Sequence, residues 1–171
     1  MQFDVAIVGA GLVGQAIAAA LAGGSDTVRV ALIDPADIQA PAPVGGLQDY
    51  DLRVSALTAQ TQAFLTRLGV WENIPAGVLS GYTRMHVWDA EGTGAVTFNA
   101  AELHVPGLGH IVENRQTLWA LQQVNAALEG VTQLRTTLTS LDNPDEHGWV
   151  PISLGNGETL TARLVIGADG A

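Results

Sequence analysis

The sequence has no cysteine, few basic residues and few histidines, and each scarcity excludes a class of protein. Without cysteine the chain has no disulfide, no thiolate metal site and no thiol nucleophile. Seven Lys and Arg residues against seventeen Asp and Glu residues give a formal net charge of −10, so we expect no nucleic-acid partner. The four histidines are scattered without metal-ligand spacing, and we therefore expect no metal site.

The sequence also lacks a long unbroken apolar segment, although its amino-terminal region is apolar. Residues 5–24 carry no charge, but three glycines and Gln15 interrupt them. A membrane-spanning helix needs about 20 apolar residues without such breaks. A secretory signal has a basic residue before its apolar part, where this chain has Asp4. A glycine-rich nucleotide-binding turn explains the glycines, whereas a signal or a membrane span does not.

What is present is the composition of one globular domain, with 171 residues of which 47% are hydrophobic. The apolar patterns predict a strand over residues 2–8, a helix over residues 12–22 and a strand over residues 28–33, which form a βαβ unit. After them the sequence predicts a loop over residues 35–48 and an amphipathic helix over residues 55–68, which is capped by Ser55 or Thr58 and closed by Gly69. A hairpin is predicted over residues 82–98 and a helix over residues 114–128. Three strands follow, over residues 133–141, 149–154 and 160–166, and the last two are joined by a turn at Asn156-Gly157.

The strongest motif is GAGLVG at residues 9–14, between the first predicted strand and helix. In such a motif Gly9 permits a tight turn, Gly11 leaves room for a pyrophosphate, and Gly14 lets the helix pack closely on the strand. The phosphates then lie at the helix N-terminus, where free N–H groups and the helix dipole favour negative charge. Asp34 ends the second strand, where it can accept hydrogen bonds from ribose hydroxyls; the alternative is a loop residue that caps the next turn.

The glycine motif does not distinguish NAD from FAD. Four other segments resemble the FAD-dependent ubiquinone-biosynthesis hydroxylases of the para-hydroxybenzoate hydroxylase superfamily, most of all their 2-octaprenylphenol hydroxylase branch: DLRVSAL at residues 51–57, LTRLGVW at residues 65–71, LGHIVEN at residues 108–114 and RLVIGADG at residues 163–170. The resemblance runs from Asp4 to Ala171. It implies an α/β fold, a Rossmann-type FAD-binding domain with a parallel central sheet over residues 1–171, in which the hairpin at residues 82–98 begins the substrate-side sheet.

The resemblance also implies cofactor-binding residues. Arg53 matches the family's arginine that contacts the flavin pyrophosphate, and its alternative is a surface arginine before a helix. Arg115 matches a polar position near the FAD phosphates or ribose, and its alternative is an ordinary residue in the first turn of a helix. Asp169-Gly170 matches the family's DG motif, which lies near the FAD phosphates and is linked to nicotinamide-cofactor binding. The predicted cofactor-binding residues are Gly9, Gly11, Leu12, Val13, Gly14, Asp34, Arg53, Arg115, Asp169 and Gly170.

The activity that the resemblance implies is hydroxylation of an aromatic ring. The full-length protein is expected to hydroxylate a polyprenylated phenol with O₂ in ubiquinone biosynthesis, with FAD as cofactor and NAD(P)H as reductant. Because the chain stops at Ala171, directly after a predicted strand, we expect an amino-terminal fragment that is inactive alone, and we assign no catalytic residue.

We expect a cytoplasmic protein. Because the implied substrate is apolar, we also expect the full-length form to make peripheral contact with the inner membrane or to join a biosynthetic complex. Three alternatives stay open: another FAD-dependent oxidoreductase of the same fold, a non-catalytic nucleotide-binding subunit, and a plain NAD-binding dehydrogenase.

Overall fold

The computed structural model describes residues 1–25, 27–43 and 45–170, in two compact units. The first unit combines Met1–Pro41 with Leu118–Ala171, and the second is Ala42–Thr117. The single FAD-binding domain expected over residues 1–171 stays a prediction, and Ala171 and Val44 lie outside the described residues. In chain order the helices and strands are β1 (Gln2–Val8), α1 (Leu12–Gly23), β2 (Val30–Ile33), β3 (Val54–Thr58), α2 (Ala59–Arg67), β4 (Ser80–Tyr82), β5 (Arg84–Trp88), β6 (Ala95–Asn99), β7 (Gly109–Glu113), α3 (Asn114–Ala127), β8 (Val131–Leu134), β9 (Leu138–Leu141), β10 (Val150–Leu154) and β11 (Thr159–Gly167).

A six-stranded sheet in the order β8-β2-β1-β11-β10-β9 organises the first unit. The first four strands in this order, β8, β2, β1 and β11, are parallel to one another. The last two, β10 and β9, continue the sheet in antiparallel pairs. The α/β class and the parallel centre of the sheet are therefore confirmed. Because β1 and β2 are parallel neighbours, α1 between them is the crossover of the predicted βαβ unit.

At β1 and β2 the sheet of the first unit is buried on both faces, as these apolar strands require. On one face Val30 and Leu32 of β2 pack with Ala18 and Ala22 of α1. On the other face the next residues of β2, Ala31 and Ile33, pack with side chains of β1, β10 and β11. The small alanines of α1 let the helix lie close to the sheet, which fixes the position of its N-terminus above the end of β1.

The second unit contains a three-stranded antiparallel sheet in the order β3-β7-β4 and a separate hairpin of β5 and β6. The helix α2 follows β3 directly, and the Thr58 side chain accepts a hydrogen bond from the Thr61 N–H at its N-terminus. The hairpin predicted over residues 82–98 is present, but it begins at Arg84, because Tyr82 belongs to β4 and pairs with β7. Its place on the substrate side stays a prediction. Among the described residues, no helix has both the length and the apolarity that a bilayer crossing requires.

Three other predicted elements differ from the structure. The helix expected over residues 55–68 begins only at Ala59, because Ser55 to Thr58 belong to β3 and pair with β7. The strand expected over residues 133–141 is two strands, β8 and β9, which lie at opposite edges of the sheet. The second strand begins at Val30 and not at residue 28. In each case the apolar residues alone allowed the predicted element, whereas pairing with a neighbouring strand set the bounds that the structure has.

Candidate functional site

Three parallel strands of the first unit end at the same edge of the sheet. In the register of these strands Val8 of β1 lies opposite Ile33 of β2 and Gly167 of β11. The segments that follow the three strands therefore leave the sheet together: the glycine-rich loop after β1, Asp34 after β2, and residues 168–170 after β11. Such an edge, at the carboxyl ends of parallel strands, is where α/β proteins bind ligands.

The glycine-rich loop packs so tightly that two of its glycines have no room for a side chain. Gly9 has a φ of +104°, and a Cβ on it would lie 2.4 Å from the Ala168 carbonyl oxygen. A Cβ on Gly14 would lie 1.9 Å from the Gly9 carbonyl oxygen. Gly14 thus allows the close contact between α1 and the end of β1 that the motif predicts, and Gly9 allows the segment after β11 to lie against the loop.

The N-terminus of α1 is open to an anion. Gly11 is the N-cap in an extended conformation without a side-chain cap, and the first turn contains no acidic residue. The helix ladder begins with the Gln15 N–H, which donates to the Gly11 carbonyl oxygen at 2.9 Å. The N–H groups of Leu12, Val13 and Gly14 come before it and have no helical acceptor. A Cβ on Gly11 would meet no described atom within 4 Å, so the space beside these N–H groups is empty.

The Asp34 carboxylate faces the glycine-rich loop. Its Oδ2 accepts a hydrogen bond of 2.7 Å from the Ala10 N–H, and its Oδ1 accepts one of 2.8 Å from the Ala36 N–H. Asp34 therefore does cap the next turn, as the alternative interpretation proposed, and at the same time lies beside the loop. It is half-buried, and its carboxylate also lines a pocket of the first unit whose other lining residues are Ala10, Leu32, Ala36, Ile38, Gln122, Gln133, Leu134 and Arg135.

The segment after β11 is held on the end of β1. The Ala168 N–H donates to the Val8 carbonyl oxygen at 2.7 Å, and Gly170 has a φ of +86°. Asp169 between them is exposed, and no hydrogen bond to its carboxylate is found within the described ranges. The Asp-Gly pair is therefore a turn at the same edge as the glycine-rich loop, with a carboxylate available to a ligand.

The two predicted arginines belong to the second unit and differ in their surroundings. Arg53 is exposed, and in the described part of the chain its guanidinium makes no ion pair. The Arg115 side chain is 31% exposed, and its Nε donates to Glu113 Oε2 at 2.7 Å. A terminal nitrogen of Arg115 also donates to the Asp49 carbonyl oxygen. Arg53 is thus available to an anion, whereas Arg115 is engaged within the unit.

A chain of amide side chains next to the glycine-rich loop, two of them buried and two half-buried, was not anticipated from the sequence. Gln15 donates through Nε2 to Gln122 Oε1 at 2.7 Å, and Gln122 donates in turn to Gln133 at 2.8 Å. The fully buried Asn125 donates to both the carbonyl and the side-chain oxygen of Gln15. These bonds tie the first turn of α1 to α3 and β8. The available signal was the position of Gln15, a polar residue directly after the motif in an otherwise apolar helix.

The described residues contain no group of three or more His, Asp or Glu side chains that could hold a metal ion. The first unit therefore offers backbone N–H groups, a carboxylate beside them and an open helix N-terminus. The second unit offers the exposed guanidinium of Arg53. The groups of the first unit can by themselves bind a phosphate-containing nucleotide, and among them we identify no nucleophile or general base.

No protein-family model matches the chain. Individual proteins do: the 3-demethoxyubiquinol 3-hydroxylase of Escherichia coli K12 is 39% identical over an alignment of 171 residues that covers 98% of this chain and 41% of that protein. The mitochondrial ubiquinone biosynthesis monooxygenase COQ6 of Xenopus tropicalis is 34% identical, over 98% of this chain and 38% of its own length. The ubiquinone hydroxylase UbiL of Rhodospirillum rubrum is 35% identical, over 98% of this chain and 37% of its own length.

Solved structures share the fold. The p-nitrophenol 4-monooxygenase PnpA of Pseudomonas putida has a TM-score of 0.73 at 20% identity, over 99% of this chain and 42% of that one. PqsL of Pseudomonas aeruginosa, described as a probable FAD-dependent monooxygenase, has a TM-score of 0.69 at 20% identity, over 99% of this chain and 43% of that one. The chain spans about two fifths of the length of the curated relatives that it matches. Along nearly all of its own length, the chain is similar in sequence to ubiquinone-biosynthesis hydroxylases.

Proposed function

We propose that the whole protein is an FAD-dependent monooxygenase that hydroxylates a polyprenylated phenol in ubiquinone biosynthesis, and that this chain contributes FAD-binding residues. The observation that carries the proposal is the open N-terminus of α1, with Asp34 beside it, in a chain 39% identical to a ubiquinol hydroxylase. The proposal makes this edge of the first unit a site for a dinucleotide diphosphate and its ribose.

The geometry of the first unit fits such a cofactor. The N–H groups of the first turn of α1 would hold the diphosphate, because they lack helical acceptors and lie at the positive end of the helix dipole. The empty space beside Gly11 would admit the diphosphate to the backbone. Asp34 already accepts one N–H at each oxygen, and a carboxylate oxygen has a second lone pair with which it could accept a ribose hydroxyl.

The other cofactor residues are proposed from the family resemblance. Arg53 would bind a phosphate through its guanidinium fork, which is exposed and without an ion pair among the described residues. Asp169 and Gly170 would contribute a carboxylate and a turn near the cofactor. For Arg115 the resemblance implies a polar contact with the FAD phosphates or ribose.

When bound, FAD would supply the oxygen chemistry, since a reduced flavin activates O₂ and the protein's own groups do not. We propose NAD(P)H as the reductant and a polyprenylated phenol as the substrate that receives one oxygen atom. The residues of this chain would bind and orient the adenosine diphosphate half. For the whole protein we further propose a cytoplasmic location with peripheral contact to the inner membrane or to a biosynthetic complex, because the substrate is apolar.

FAD binding is tested by titrating the purified protein with FAD and following flavin fluorescence. Gly11→Ala places a methyl group in the space proposed for the diphosphate, where it meets no described atom, and we expect FAD affinity to fall at least about tenfold with the fold intact. Gly23→Ala is the matched control, because its methyl group also meets no described atom but lies at the other end of α1. Equal FAD affinity in both variants would exclude the helix end as the phosphate site.

The reaction is tested on the whole protein with NAD(P)H, a polyprenylated phenol and ¹⁸O₂. We expect a product that carries one labelled oxygen atom, observed by mass spectrometry. Consumption of NAD(P)H without a labelled product would indicate an oxidase or dehydrogenase of the same fold. Bound NAD in place of FAD would indicate a plain NAD-binding dehydrogenase.

A further inference from the structure

The segment that carries Arg53, residues 49–55, is fastened to the junction of β7 and α3. Glu113, the last residue of β7, is 2% exposed. Its Oε2 accepts hydrogen bonds from the Asp51 N–H at 2.8 Å and from Arg115 Nε at 2.7 Å. One buried carboxylate oxygen therefore holds both the main chain two residues before Arg53 and Arg115 in the first turn of α3.

Arg115 fastens the segment at a second point, because it also donates to the Asp49 carbonyl oxygen. Asn114 adds two more contacts: its N–H donates to the Arg53 carbonyl oxygen at 2.9 Å, and its Oδ1 accepts from Ser55 Oγ at 2.6 Å. The segment is thus bound through its main chain before and at Arg53, and through the Ser55 side chain after it. The Arg53 side chain itself stays exposed and makes no ion pair with the described residues.

The ion pair between Glu113 and Arg115 is not expected to contribute much to the free energy of unfolding. Taking a carboxylate and a guanidinium out of water costs energy, and well-packed apolar residues often replace a buried pair without loss. Glu113 Oε1 is buried and has no hydrogen-bond partner among the described atoms, which adds to the cost. What the pair does provide is a fixed geometry for the segment, since both charged groups bind its backbone.

We propose that Glu113 and Arg115 are positioning residues that hold residues 49–55 so that the Arg53 guanidinium is presented to a phosphate of the cofactor. The inference rests on the proposed function, because it takes FAD as the ligand of Arg53. It assigns Arg115 a role different from the direct cofactor contact that the family resemblance implies. A segment fixed before binding loses less conformational entropy when the phosphate arrives, so the affinity is higher.

The test is a double-mutant cycle on FAD affinity, measured by fluorescence titration. Glu113→Gln removes the charge that holds Arg115, and we expect the FAD dissociation constant to rise about tenfold. In an Arg53→Met background the same substitution should change it less than about twofold, because the group being positioned is gone. Arg115→Lys, which keeps the charge but cannot make both hydrogen bonds, should give an intermediate loss.

Glu102→Gln is the matched control, because Glu102 is an exposed acidic residue of the same unit, and it should leave the affinity unchanged. An equal rise of the dissociation constant in both backgrounds would overturn the positioning role while leaving the proposed function standing. Absence of FAD binding in the unmodified whole protein would refute the proposed function, and the positioning role with it.

Amide hydrogen exchange, measured without FAD, tests whether Glu113 holds residues 49–55 in place. The Asp51 N–H should exchange slowly in the unmodified protein and at least about tenfold faster in Glu113→Leu, which removes its acceptor at similar volume. Exchange at Asp51 should be unchanged in Glu102→Gln. Equal exchange rates in Glu113→Leu and the unmodified protein would show that Glu113 does not hold the segment, and would overturn the inference.

Discussion

Gly14 and Gly23 belong to the same helix but meet different surroundings. Gly14 in the first turn of α1 faces the Gly9 carbonyl oxygen, whereas Gly23 at the end of α1 faces open space. The first glycine is required by a contact between helix and strand, and the second by none that the structure shows. Within one motif, Gly14 thus serves packing, while Gly11 borders the open space that we propose for the diphosphate.

Gly14→Ala should destabilise the protein by about 3 kcal/mol, because a Cβ 1.9 Å from a backbone oxygen forces α1 away from the sheet. Gly23→Ala should have no effect or raise the free energy of unfolding by up to about 1 kcal/mol, as alanine is the better helix former. Urea denaturation followed by circular dichroism measures both. Similar stabilities in the two variants would mean that α1 lies farther from Gly9 than the structure shows.

Asp145 offers a test of pH dependence at a single exposed residue. The pKa of its carboxyl lies below the ordinary value of 3.8, mainly because the Trp149 N–H donates to it, with further N–H groups of His147 and Gly148 and the His147 charge acting in the same direction. Burial acts in the opposite direction. The ionised carboxylate therefore stabilises the turn above the unfolded pKa, and this stabilisation is lost as the pH falls through the folded pKa.

Asp145→Asn should thus make the free energy of unfolding depend less steeply on pH between about 5 and 2. Urea titrations at several pH values provide the measurement. Asp142→Asn is the control, because within the described residues the Asp142 carboxylate accepts no hydrogen bond. If the pH dependence of the free energy of unfolding decreases equally in both variants, the hydrogen bonds to the Asp145 carboxylate make no particular contribution to it.

At the scale of elements, α2 shows how a helix start is decided. Residues 55–58 form an edge of the β3-β7-β4 sheet, and the chain enters α2 only after Thr58, whose side chain accepts the Thr61 N–H at 3.2 Å. Of the two caps that the sequence allowed, Ser55 donates instead to Asn114 across the sheet. The N-cap of α2 is therefore Thr58.

Thr58→Ala should lower the free energy of unfolding by about 1 kcal/mol, because the Thr61 N–H loses its acceptor at the helix end. Thr66→Ala, at an exposed position in the last turn of α2, should instead be neutral or slightly stabilising. Thermal and urea unfolding of both variants check this. If both substitutions have the same effect, the cap contributes nothing.

Local sequence patterns determine the bounds of some helices and strands, whereas the bounds of other strands depend on the strands with which they pair. The strand β1, the helix α1 and the turn at Asn156-Gly157 follow from short-range rules, and the structure has them where the sequence predicted. Whether residues 133–141 form one strand or two depends on neighbours far away in the chain, and no local period reveals them. The site follows the same division: the glycine motif and Asp34 were recognisable, whereas the hydrogen bonds of Glu113 across the second unit were not.

At the scale of the whole molecule, the net charge of −10 opposes the approach of an anionic cofactor. The groups proposed to bind phosphate are local, namely the helix N-terminus and Arg53, and a ligand has to cross the negative field before it reaches them. Screening length falls from about 30 Å at 0.01 M ionic strength to about 8 Å at 0.15 M. The surrounding field is therefore weakened by salt sooner than the direct contacts are.

The association rate constant of FAD should accordingly rise with ionic strength over this range. Stopped-flow fluorescence measures it, and riboflavin, which has the same flavin ring without phosphates, should show no such dependence. A rate constant for FAD that falls as salt is added would indicate that the positive groups near the site, and not the net charge, govern the encounter.

The position of β11 has a consequence for the order in which the molecule is built. This strand lies between β1 and β10 in the middle of the sheet, although β1 and β11 are far apart along the chain. Pairings so distant in sequence form slowly. The glycine-rich turn is translated well before the Ala168 carbonyl that packs against Gly9, because that carbonyl follows β11. The turn can therefore take its final form only after β11 has been made and has paired with β1.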